Sequence, residues 1–321
     1  MELECGYEQK RKPEVAILLS TYNGQKYIRE QIDSILGQTY PGIRIYVRDD
    51  GSTDDTADIL NVYAKDRKIV FFKGENIGYI NSYFKLLKEC GKADYYAWCD
   101  QDDIWVPKKM ERAVDCLELD RRNYQDTIDG HKPVLYFSSY DFYDEEMHFQ
   151  KHGLVHKRGP SFSNSLMDCI TLGFNSVFNH NTRMYMEENI PEHSCGHDWW
   201  TYMICAAFGR VLYDREFSSV KYRRLAESVS PGGKNFLALQ IWRFKKFFIN
   251  DYFREIREQL YEFSKIYERQ LNDENKRVMR LFSKKKYSVV WALRKTFYPI
   301  WFRQGLTEEI MVRILFLTGR L

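Results

Sequence analysis

The amino-acid sequence predicts an α/β fold in which a mostly parallel sheet is covered by helices on both faces. Over the first 130 residues, short apolar runs of strand length alternate with segments whose apolar residues recur at helical spacing. Turn signals and short links separate these segments, as in consecutive strand–helix units. Ligands of such sheets bind beyond the carboxyl ends of the strands, so the loops at those ends are the first candidates for a functional site.

The elements of this regular part follow from the apolar runs and from the signals that end them. The run VAILL has the length of a buried strand and stops at the turn signal TYNG. The predicted elements are, in order, a strand over 15–19, a helix over 28–37, a strand over 43–47, a helix capped by Thr53 or Asp54 and ending near Ala64, a strand over 69–72, a helix over 79–90, a strand over 95–98 and a helix starting near Lys108.

The pattern becomes less regular after residue 130, and its character changes again after the turn signal PGG at 231–233. Beyond that point, apolar and aromatic residues recur every three or four positions, which is typical of an amphipathic helix. The expected elements are strands over 134–137 and 211–213, a helix over 198–208, a long amphipathic helix over 237–267 and a basic, aromatic stretch over 284–303 interrupted by Pro299.

The length of the chain allows one large domain with an appendage, or two domains. The chain has 321 residues, 44% of them hydrophobic, and a formal net charge of +3. From Lys234 onward there are 19 basic and 9 acidic residues, a balance of +10, whereas the remainder holds 48 − 19 = 29 basic and 45 − 9 = 36 acidic residues, a balance of −7. This asymmetry suggests two roles. The expected organisation is an N-terminal tail over 1–12, the sheet domain over 13–233 and a basic, aromatic helical region over 234–321.

The cysteines and the hydropathy of the sequence indicate in which cellular compartment the protein is expected. The seven cysteines are odd in number and show no Cys-x-x-Cys pairing, and no signal peptide is evident. These features favour a reducing cytosol over a disulfide framework. No apolar run reaches the roughly 18–20 residues that a membrane span needs, so we expect a protein that is not integral to a membrane but can lie on one.

The stretch WCDQDDIW places three carboxylates within four residues, directly after a predicted strand. Like charges at this spacing repel one another unless a cation lies among them. Asp100 and Asp102 can bind a hard divalent ion, Mg²⁺ or Mn²⁺, which needs only one or two carboxylates when phosphates supply further oxygens. Asp103 can instead cap the following turn. The alternative interpretation is a solvated loop with a helix cap.

A second acid pair, Asp49 and Asp50, follows the predicted strand over 43–47. Taken alone, this pair is equally compatible with an ordinary Asp-Gly turn. Because acids follow two strands of one predicted sheet, the sequence favours a shared site at the carboxyl edge.

Four segments, VAILLSTYNG, VRDDGSTDDT, WCDQDDIWVPKKM and GHDWW, occur in this order. As an ordered set they closely resemble the family 2 glycosyltransferases over about residues 13–230, most of all the rhamnosyltransferase branch that builds bacterial surface polysaccharides. The resemblance implies a GT-A fold, a nucleotide-sugar donor, a divalent ion (Mn²⁺ or Mg²⁺) and inversion at the anomeric carbon.

The resemblance also assigns donor-side roles. Thr21 and Tyr22 match the segment that contacts the nucleobase, and Asp50 matches the acid that hydrogen-bonds the base, with Asp49 beside it. Asn76 and Gly78 fall where the family has a donor-side Asn-x-Gly loop. The metal and diphosphate motif is matched by Asp100 and Asp102, with Asp102 as the expected direct ligand.

The segment GHDWW corresponds to the acceptor side. Asp198 matches the catalytic base, although an acid there also suits the first turn of a helix. His197 is expected to orient Asp198 or contact the acceptor, with an ordinary surface histidine as the alternative. Trp199, like Trp200, can stack on a sugar face or pack in the core.

Two departures from the family pattern affect the site. Many relatives have a Tyr-Arg-x-His arrangement after the base, where this chain has Leu225 in place of the histidine. Arg223 or Arg224 can bind the diphosphate instead, with Arg224 retained as the candidate donor-binding residue. Gly173 begins Gly-Phe-Asn where relatives have a Gly-Cys-Thr loop near the acceptor, which leaves the acceptor open.

The basic, aromatic region after Lys234 has two competing interpretations. Large aromatics among Arg and Lys are typical of helices that lie on an anionic membrane surface. The alternative is helix packing on the catalytic domain or across a homodimer. Nucleic-acid binding is not expected.

These observations predict a cytoplasmic inverting glycosyltransferase, peripherally associated with the inner face of the membrane. The expected donor is dTDP-L-rhamnose, and the expected acceptor is a polyprenyl-linked saccharide of surface polysaccharide synthesis. Three alternatives remain: a transferase with another donor such as a UDP-hexose, a sugar-phosphate nucleotidyltransferase, and a non-catalytic carbohydrate-binding scaffold. The nucleotidyltransferase would need a Gly-rich, basic phosphate loop after the first strand, which STYNG is not.

Overall fold

One mixed sheet organises the part of the chain that this computed structural model describes, residues 11–225, 252–282 and 287–321. The strands are β1 (Val15–Thr21), β2 (Ile43–Asp49), β3 (Val70–Lys73), β4 (Tyr95–Cys99), β5 (Ile104–Trp105), β6 (Val134–Tyr143), β7 (Phe149–His152), β8 (Ser176–Asn179) and β9 (Arg210–Arg223). Their order in the sheet is β3-β2-β1-β4-β8-β6-β9-β5, with β7 paired to β6.

Helices cover both faces of this sheet. Over the described residues they are α1 (Ile28–Leu36), α2 (Thr56–Lys65), α3 (Tyr79–Glu89), α4 (Lys109–Tyr124), α5 (Phe162–Ser165), α6 (His180–Glu188), α7 (His197–Phe208), α8 (Tyr252–Tyr267), α9 (Asp273–Arg280), α10 (Val289–Thr296) and α11 (Leu306–Leu317).

The first half of the sheet has the predicted parallel arrangement. Strand β1 lies between β2 and β4, with Thr21 paired to Asp49 and Leu19 to Cys99. Every residue of β1 is buried, as expected for a central strand that is covered on both faces. Its side chains alternate between two apolar clusters, with Leu18 in one and Leu19 in the other. The carboxyl ends of β1, β2 and β4 therefore lie together at one edge.

The second half of the sheet is mixed, so the fold is less uniformly parallel than the sequence predicts. Strand β8 runs antiparallel to both β4 and β6, and β9 runs parallel to β6. The helix predicted to start near Lys108 is present as α4, but a short strand, β5, lies between the acidic stretch and that helix and runs antiparallel to β9. Asp103 does not cap that turn; its Oδ1 accepts a hydrogen bond of 3.0 Å from the backbone N–H of Arg223 on β9.

The C-terminal helical region is present, and its first described helix packs onto the sheet domain. Helix α8 buries Ile256, Leu260 and Phe263 in the cluster that also contains Trp200 of α7, and the rings of Phe263 and Trp200 are 5.4 Å apart. For α8, the structure therefore supports the interpretation of helix packing on the catalytic domain. Residues 237–251 of the expected long helix, Lys284–Lys286 and the expected boundary at 233/234 lie outside the described residues.

No helix among the described residues is both long and apolar enough to cross a lipid bilayer.

Candidate functional site

Three strand ends and the loop after β3 meet at the carboxyl edge of the sheet. The backbone N–H of Asp50, just past β2, donates to the carbonyl oxygen of Thr21 at 2.8 Å. The N–H of Ile77 donates to Asp50 Oδ1 at 3.1 Å. In the same loop, Gly78 donates to Asn76 Oδ1 at 3.1 Å and adopts φ = 83°, a conformation that favours glycine. The structure therefore brings together the predicted donor-side residues of three segments.

Asp50 forms a buried ion pair with Arg48, two residues earlier on β2. Both side chains are almost fully buried, and the guanidinium also donates to Ser82 Oγ at 2.8 Å and to the carbonyl oxygen of Glu75 at 3.0 Å. A buried carboxylate needs such a partner, because desolvating an unpaired charge is costly. Arg48 therefore fixes Asp50 and the loop before Asn76 in one arrangement.

Asp49 has a different role in the same turn. Its Oδ1 accepts hydrogen bonds from the backbone N–H of Ser52, at 3.1 Å, and from the Ser52 hydroxyl. The Asp-Gly turn interpretation therefore accounts for this oxygen. Its other carboxylate oxygen is buried and has no hydrogen-bond partner among the described residues.

Gln101 connects Thr21 and Tyr22, at the end of β1, to the loop after β4 that contains Asp100, Asp102 and Asp103, which we call the acidic loop. Its Oε1 accepts hydrogen bonds from the Thr21 hydroxyl at 2.5 Å and from the Tyr22 N–H at 3.0 Å. Its Nε2 donates to the Tyr22 carbonyl oxygen at 3.3 Å. The Tyr22 side chain remains 45% exposed, so an aromatic surface is available at the edge of the site.

The three carboxylates after β4 differ in their surroundings. Asp100 Oδ1 accepts a hydrogen bond of 2.8 Å from the Tyr83 hydroxyl, and burial raises the pKa of Asp100. Burial, with repulsion from Asp100, raises the pKa of Asp102 to about 6. Burial, with repulsion from both neighbours, raises the pKa of Asp103 well above its usual range. Positive charge at this loop would relieve the repulsion.

Two nearby basic side chains, Lys109 and Arg223, neutralise the negative charge of this loop only in part. The Lys109 ammonium donates to the carbonyl oxygen of Phe174 at 2.6 Å, and burial lowers the pKa of Lys109 to about 7. Arg223 reaches the loop through its Nε, which donates to the backbone carbonyl oxygen of Asp102 at 2.9 Å, rather than to a carboxylate.

Arg223 is not available to bind a diphosphate, contrary to one option from the sequence. Its side chain is buried, pairs with Glu30 and donates to the carbonyl oxygen of Glu145. It therefore holds the acidic loop in position. Arg224 is partly exposed, with its guanidinium 5.3 Å from the Phe142 ring, and its phosphate role stays a prediction.

The acidic loop fits a hard divalent ion. Asp100 and Asp102 supply carboxylate oxygens, which Mg²⁺ and Mn²⁺ prefer. Burial raises the pKa of both carboxyl groups, and repulsion from Asp100 adds to the shift of Asp102, so a bound cation would favour their charged forms. Another possible ligand group, Asp144, Glu146 and His148, lies in the turn between β6 and β7. Two of these three residues are exposed, and Asp144 already accepts hydrogen bonds within the turn.

Asp198 lies in the first turn of α7, as the sequence predicts. Its Oδ1 accepts from the Trp199 N–H at 2.8 Å and its Oδ2 from the Gly173 N–H at 3.1 Å. Burial raises the pKa of Asp198 to about 6; repulsion from Asp100 adds to this effect and the two N–H groups oppose it. The carboxylate is therefore close enough to the acidic loop to sense its charge, and its pKa suits a general base near neutral pH.

His197 and Trp199 do not face solvent in this structure. The His197 ring stacks on Tyr83 with centroids 3.7 Å apart, and burial lowers its pKa to about 3. Neither ring nitrogen has a hydrogen-bond partner among the described residues. Trp199 is 7% exposed and its Nε1 donates to the carbonyl oxygen of Ser165 at 2.6 Å. This arrangement supports the core-packing alternative for Trp199 and gives no support to direct acceptor contact by either ring.

Sequence reasoning missed the residues that connect these segments. Tyr83 donates to Asp100 and stacks on the ring of His197, the residue before Asp198. Arg48 pairs with Asp50, and Gln101 connects the end of β1 to the acidic loop. A charged residue two positions before Asp50 in an apolar strand is a signal that could have indicated a buried ion pair. Tyr83 lies among apolar residues of α3 and carries no comparable signal.

The chain is similar to known proteins over its first 180 residues and beyond. The sequence profile described as Glycosyl transferase family 2 matches residues 16–180. An uncharacterised glycosyltransferase of Rickettsia typhi is 36% identical over 137 residues, which cover 42% of this chain and 39% of that protein. The chain thus spans about two fifths of the length of this relative.

Two further proteins are similar over more of the chain. The dTDP-rhamnosyl transferase RfbG of Shigella flexneri is 26% identical over 213 residues, covering 64% of this chain and 71% of that protein. The crystal structure of S. aureus TarS 1–349 in complex with UDP-GlcNAc has a TM-score of 0.59 at 15% identity, covering 96% of this chain and 80% of that chain. This structural likeness confirms the GT-A fold expected from the sequence.

Proposed function

Since this chain belongs to glycosyltransferase family 2, we propose that it transfers a sugar from a nucleoside diphosphate donor to an acceptor hydroxyl, with inversion at the anomeric carbon. Thr21, Tyr22 and Asp50 would bind the nucleobase side of the donor, beside the loop at Asn76 and Gly78. Asp100 and Asp102 would hold the divalent ion at the diphosphate. Asp198 would act as the base.

The observation that carries this proposal is the position of Asp198 relative to the acidic loop. Asp198 is near enough to Asp100 for the charge of one carboxylate to raise the pKa of the other, yet it belongs to a different element. A base and a leaving-group site must be separate but close, because the sugar carbon lies between the incoming hydroxyl and the departing phosphate. Tyr83 supports this closeness of the two carboxylates, because it donates to Asp100 and its ring stacks on His197, the residue before Asp198.

The proposed reaction is a single displacement. The acceptor hydroxyl gives its proton to the Asp198 carboxylate while its oxygen forms a bond to the anomeric carbon. The bond from that carbon to the phosphate oxygen breaks, and the nucleoside diphosphate leaves with the electron pair. The N–H groups of Gly173 and Trp199 orient the carboxylate for proton transfer.

A divalent ion bound at Asp100 and Asp102 would supply positive charge for the leaving diphosphate. The chain itself supports this part of the site in two ways. Tyr83 orients Asp100 by donating to its Oδ1, and Arg223 holds the backbone of Asp102. Arg224 is the candidate for an additional phosphate contact, in place of the histidine that Leu225 replaces.

For the donor sugar we propose L-rhamnose, carried as dTDP-L-rhamnose. The likeness to RfbG supports this choice. A UDP-linked hexose is the alternative, since the structurally similar TarS was crystallised with UDP-GlcNAc. We propose a polyprenyl-linked saccharide at the cytoplasmic face of the membrane as the acceptor.

The purified chain, incubated with dTDP-L-rhamnose, UDP-glucose or UDP-GlcNAc, tests the proposal through release of nucleoside diphosphate. Each donor is assayed with Mn²⁺, with Mg²⁺ and with chelator. We expect metal-dependent release that is fastest with dTDP-L-rhamnose and at least about a hundredfold slower in Asp198→Asn. Faster release from a UDP-sugar would overturn the rhamnose assignment alone. Metal-independent release, or equal release by the variant, would contradict the proposed site.

A further inference from the structure

The outer side of the C-terminal helix pair carries an exposed apolar surface. On α11, Leu306, Ile310, Ile314 and Leu317 are 62%, 51%, 50% and 41% exposed and recur at helical spacing. The opposite side of the helix, at Val312, Leu315 and Phe316, is buried in the core. A helix that is apolar on both sides is expected to bury its second side against another apolar surface.

Helix α10 extends this surface. Val289 and Val290 are about 60% exposed, and Phe297 at its end is 75% exposed. Tyr287, which lies just before α10 and is 59% exposed, contacts the end of α11. Its hydroxyl donates to the carbonyl oxygen of Leu317 at 3.0 Å. We call this surface, formed by Tyr287, Val289, Val290, Leu293, Phe297, Leu306, Ile310, Ile314 and Leu317, the C-terminal apolar face.

The described residues 287–321 carry a positive balance, with five basic residues against two acidic ones. In the sequence, residues 284–321 contain eight basic residues and two acidic ones. One of the two acids, Glu309, is 2% exposed and pairs with Arg313, so it presents no free negative charge. Arg294, on α10, is exposed and lies 5.1 Å over the ring of Trp291.

We propose that the C-terminal apolar face docks on an anionic lipid membrane. Such a membrane accepts apolar and aromatic side chains at the headgroup boundary and attracts the basic residues around them. A second copy of the chain fits less well, because a two-fold contact would place the same positive patch of each copy against the other.

The C-terminal apolar face is connected to the helix that carries Asp198. The ring of Trp301 stacks under the Arg158 guanidinium at 3.6 Å, and the carbonyl oxygen of Phe302 accepts from Asn164 Nδ2 at 2.9 Å. The next residue, Ser165, accepts from the indole of Trp199, adjacent to Asp198. Docking would therefore hold the base in a fixed relation to the membrane. This use rests on the proposed function, although lipid binding itself does not.

Co-sedimentation of the full chain with vesicles tests the docking. One vesicle is phosphatidylcholine alone, and the other contains phosphatidylglycerol as well. We expect binding to the anionic vesicles that weakens with added salt. Ile310→Ser combined with Ile314→Ser should lower the partition coefficient at least about tenfold, because it removes apolar area from the contact. Arg294→Glu should lower it on anionic vesicles through charge.

The matched control is Val62→Ser combined with Leu119→Ser, two exposed aliphatic residues on α2 and α4. This control should bind as the wild type does. Absence of wild-type binding, equal loss in the control, or a concentration-dependent dimer abolished by the Ile310 and Ile314 changes would overturn the proposal. Nucleotide release from the donor, measured without vesicles, should be unchanged in all these variants. A failure of donor turnover in the wild type would count against the proposed function and not against docking.

Discussion

Replacement of Asp198 by Asn is the most informative single change at the proposed base. The amide cannot take a proton at neutral pH, while its size and position match those of the carboxylate. General base catalysis contributes typically 10²–10⁴-fold to such reactions, so kcat should fall by about that factor, equivalent to about 3–5 kcal/mol in the barrier. Affinity for the donor with its metal ion should change little, because Asp198 is assigned to the acceptor side.

The pKa of Asp198 adds a second observable. With a pKa of about 6, about 90% of the carboxylate is ionised at pH 7 and about 10% at pH 5. The value of kcat/KM should therefore fall about tenfold per pH unit below about pH 6. In the complex, a cation beside Asp100 offsets the repulsion that helps to raise this pKa. The acid limb of kcat should then lie at lower pH than that of kcat/KM.

The assay is steady-state release of nucleoside diphosphate across pH, with donor affinity measured by calorimetry. The amide of the variant can accept only one of the two N–H groups that Asp198 now accepts, from Gly173 and Trp199. A modest loss of stability, about 1–3 kcal/mol, is therefore expected and is measured separately by thermal unfolding. Asp58→Asn, the same change at an exposed residue in the first turn of α2, is the matched control. Wild-type turnover by Asp198→Asn would refute the reasoning, as would an acid limb of kcat, measured with donor and Mn²⁺ saturating, that survives in the variant.

The remaining predictions concern the acidic loop. Asp102→Ala should raise the donor KM in Mn²⁺ at least about tenfold, and an unchanged KM in titrations of donor against metal would remove Asp102 from the ion site. Because the pKa of Asp102 is about 6 in the folded chain and 3.8 unfolded, the metal-free protein should lose up to about 3 kcal/mol of stability as pH rises from about 4 to above 6. Denaturant melts with and without Mn²⁺ should show that the ion restores this loss at pH 7.5, and a metal-free protein that gains stability over this range would contradict the sign. Tyr83→Phe keeps the stacking on His197 but removes the hydrogen bond to Asp100, so the Mn²⁺ concentration for half-maximal activity should rise several-fold while the acid limb assigned to Asp198 stays in place; equal metal dependence in variant and wild type would exclude the positioning role.

Apolar periodicity is sufficient to predict the half of the fold that carries the proposed donor side. The run that forms β1 is uninterrupted because that strand is buried on both faces, so its length and ends could be read directly. Strand β8 could not be predicted in this way. It is four residues long, and its place between β4 and β6 depends on pairing with strands distant in the sequence.

The site shows the same division between local and long-range information. The sequence predicts that Asp50 and Asp100 follow neighbouring strands, since parallel strands align their carboxyl ends. It does not indicate that Arg223 donates a hydrogen bond to a backbone carbonyl oxygen of the acidic loop, because the two are more than a hundred residues apart in the sequence. Nor does it reveal that His197 stacks inside the protein, because a histidine beside an acid is compatible with either a surface or a buried position.

Anomalous diffraction at the manganese edge, from crystals grown with Mn²⁺ and a nucleoside diphosphate, tests the central claim most directly. The predicted result is an anomalous peak within coordination distance of Asp102, bridging its carboxylate to the diphosphate. A peak confined to the turn at Asp144, Glu146 and His148, or a diphosphate bound away from the carboxyl edge of β4, would contradict the account.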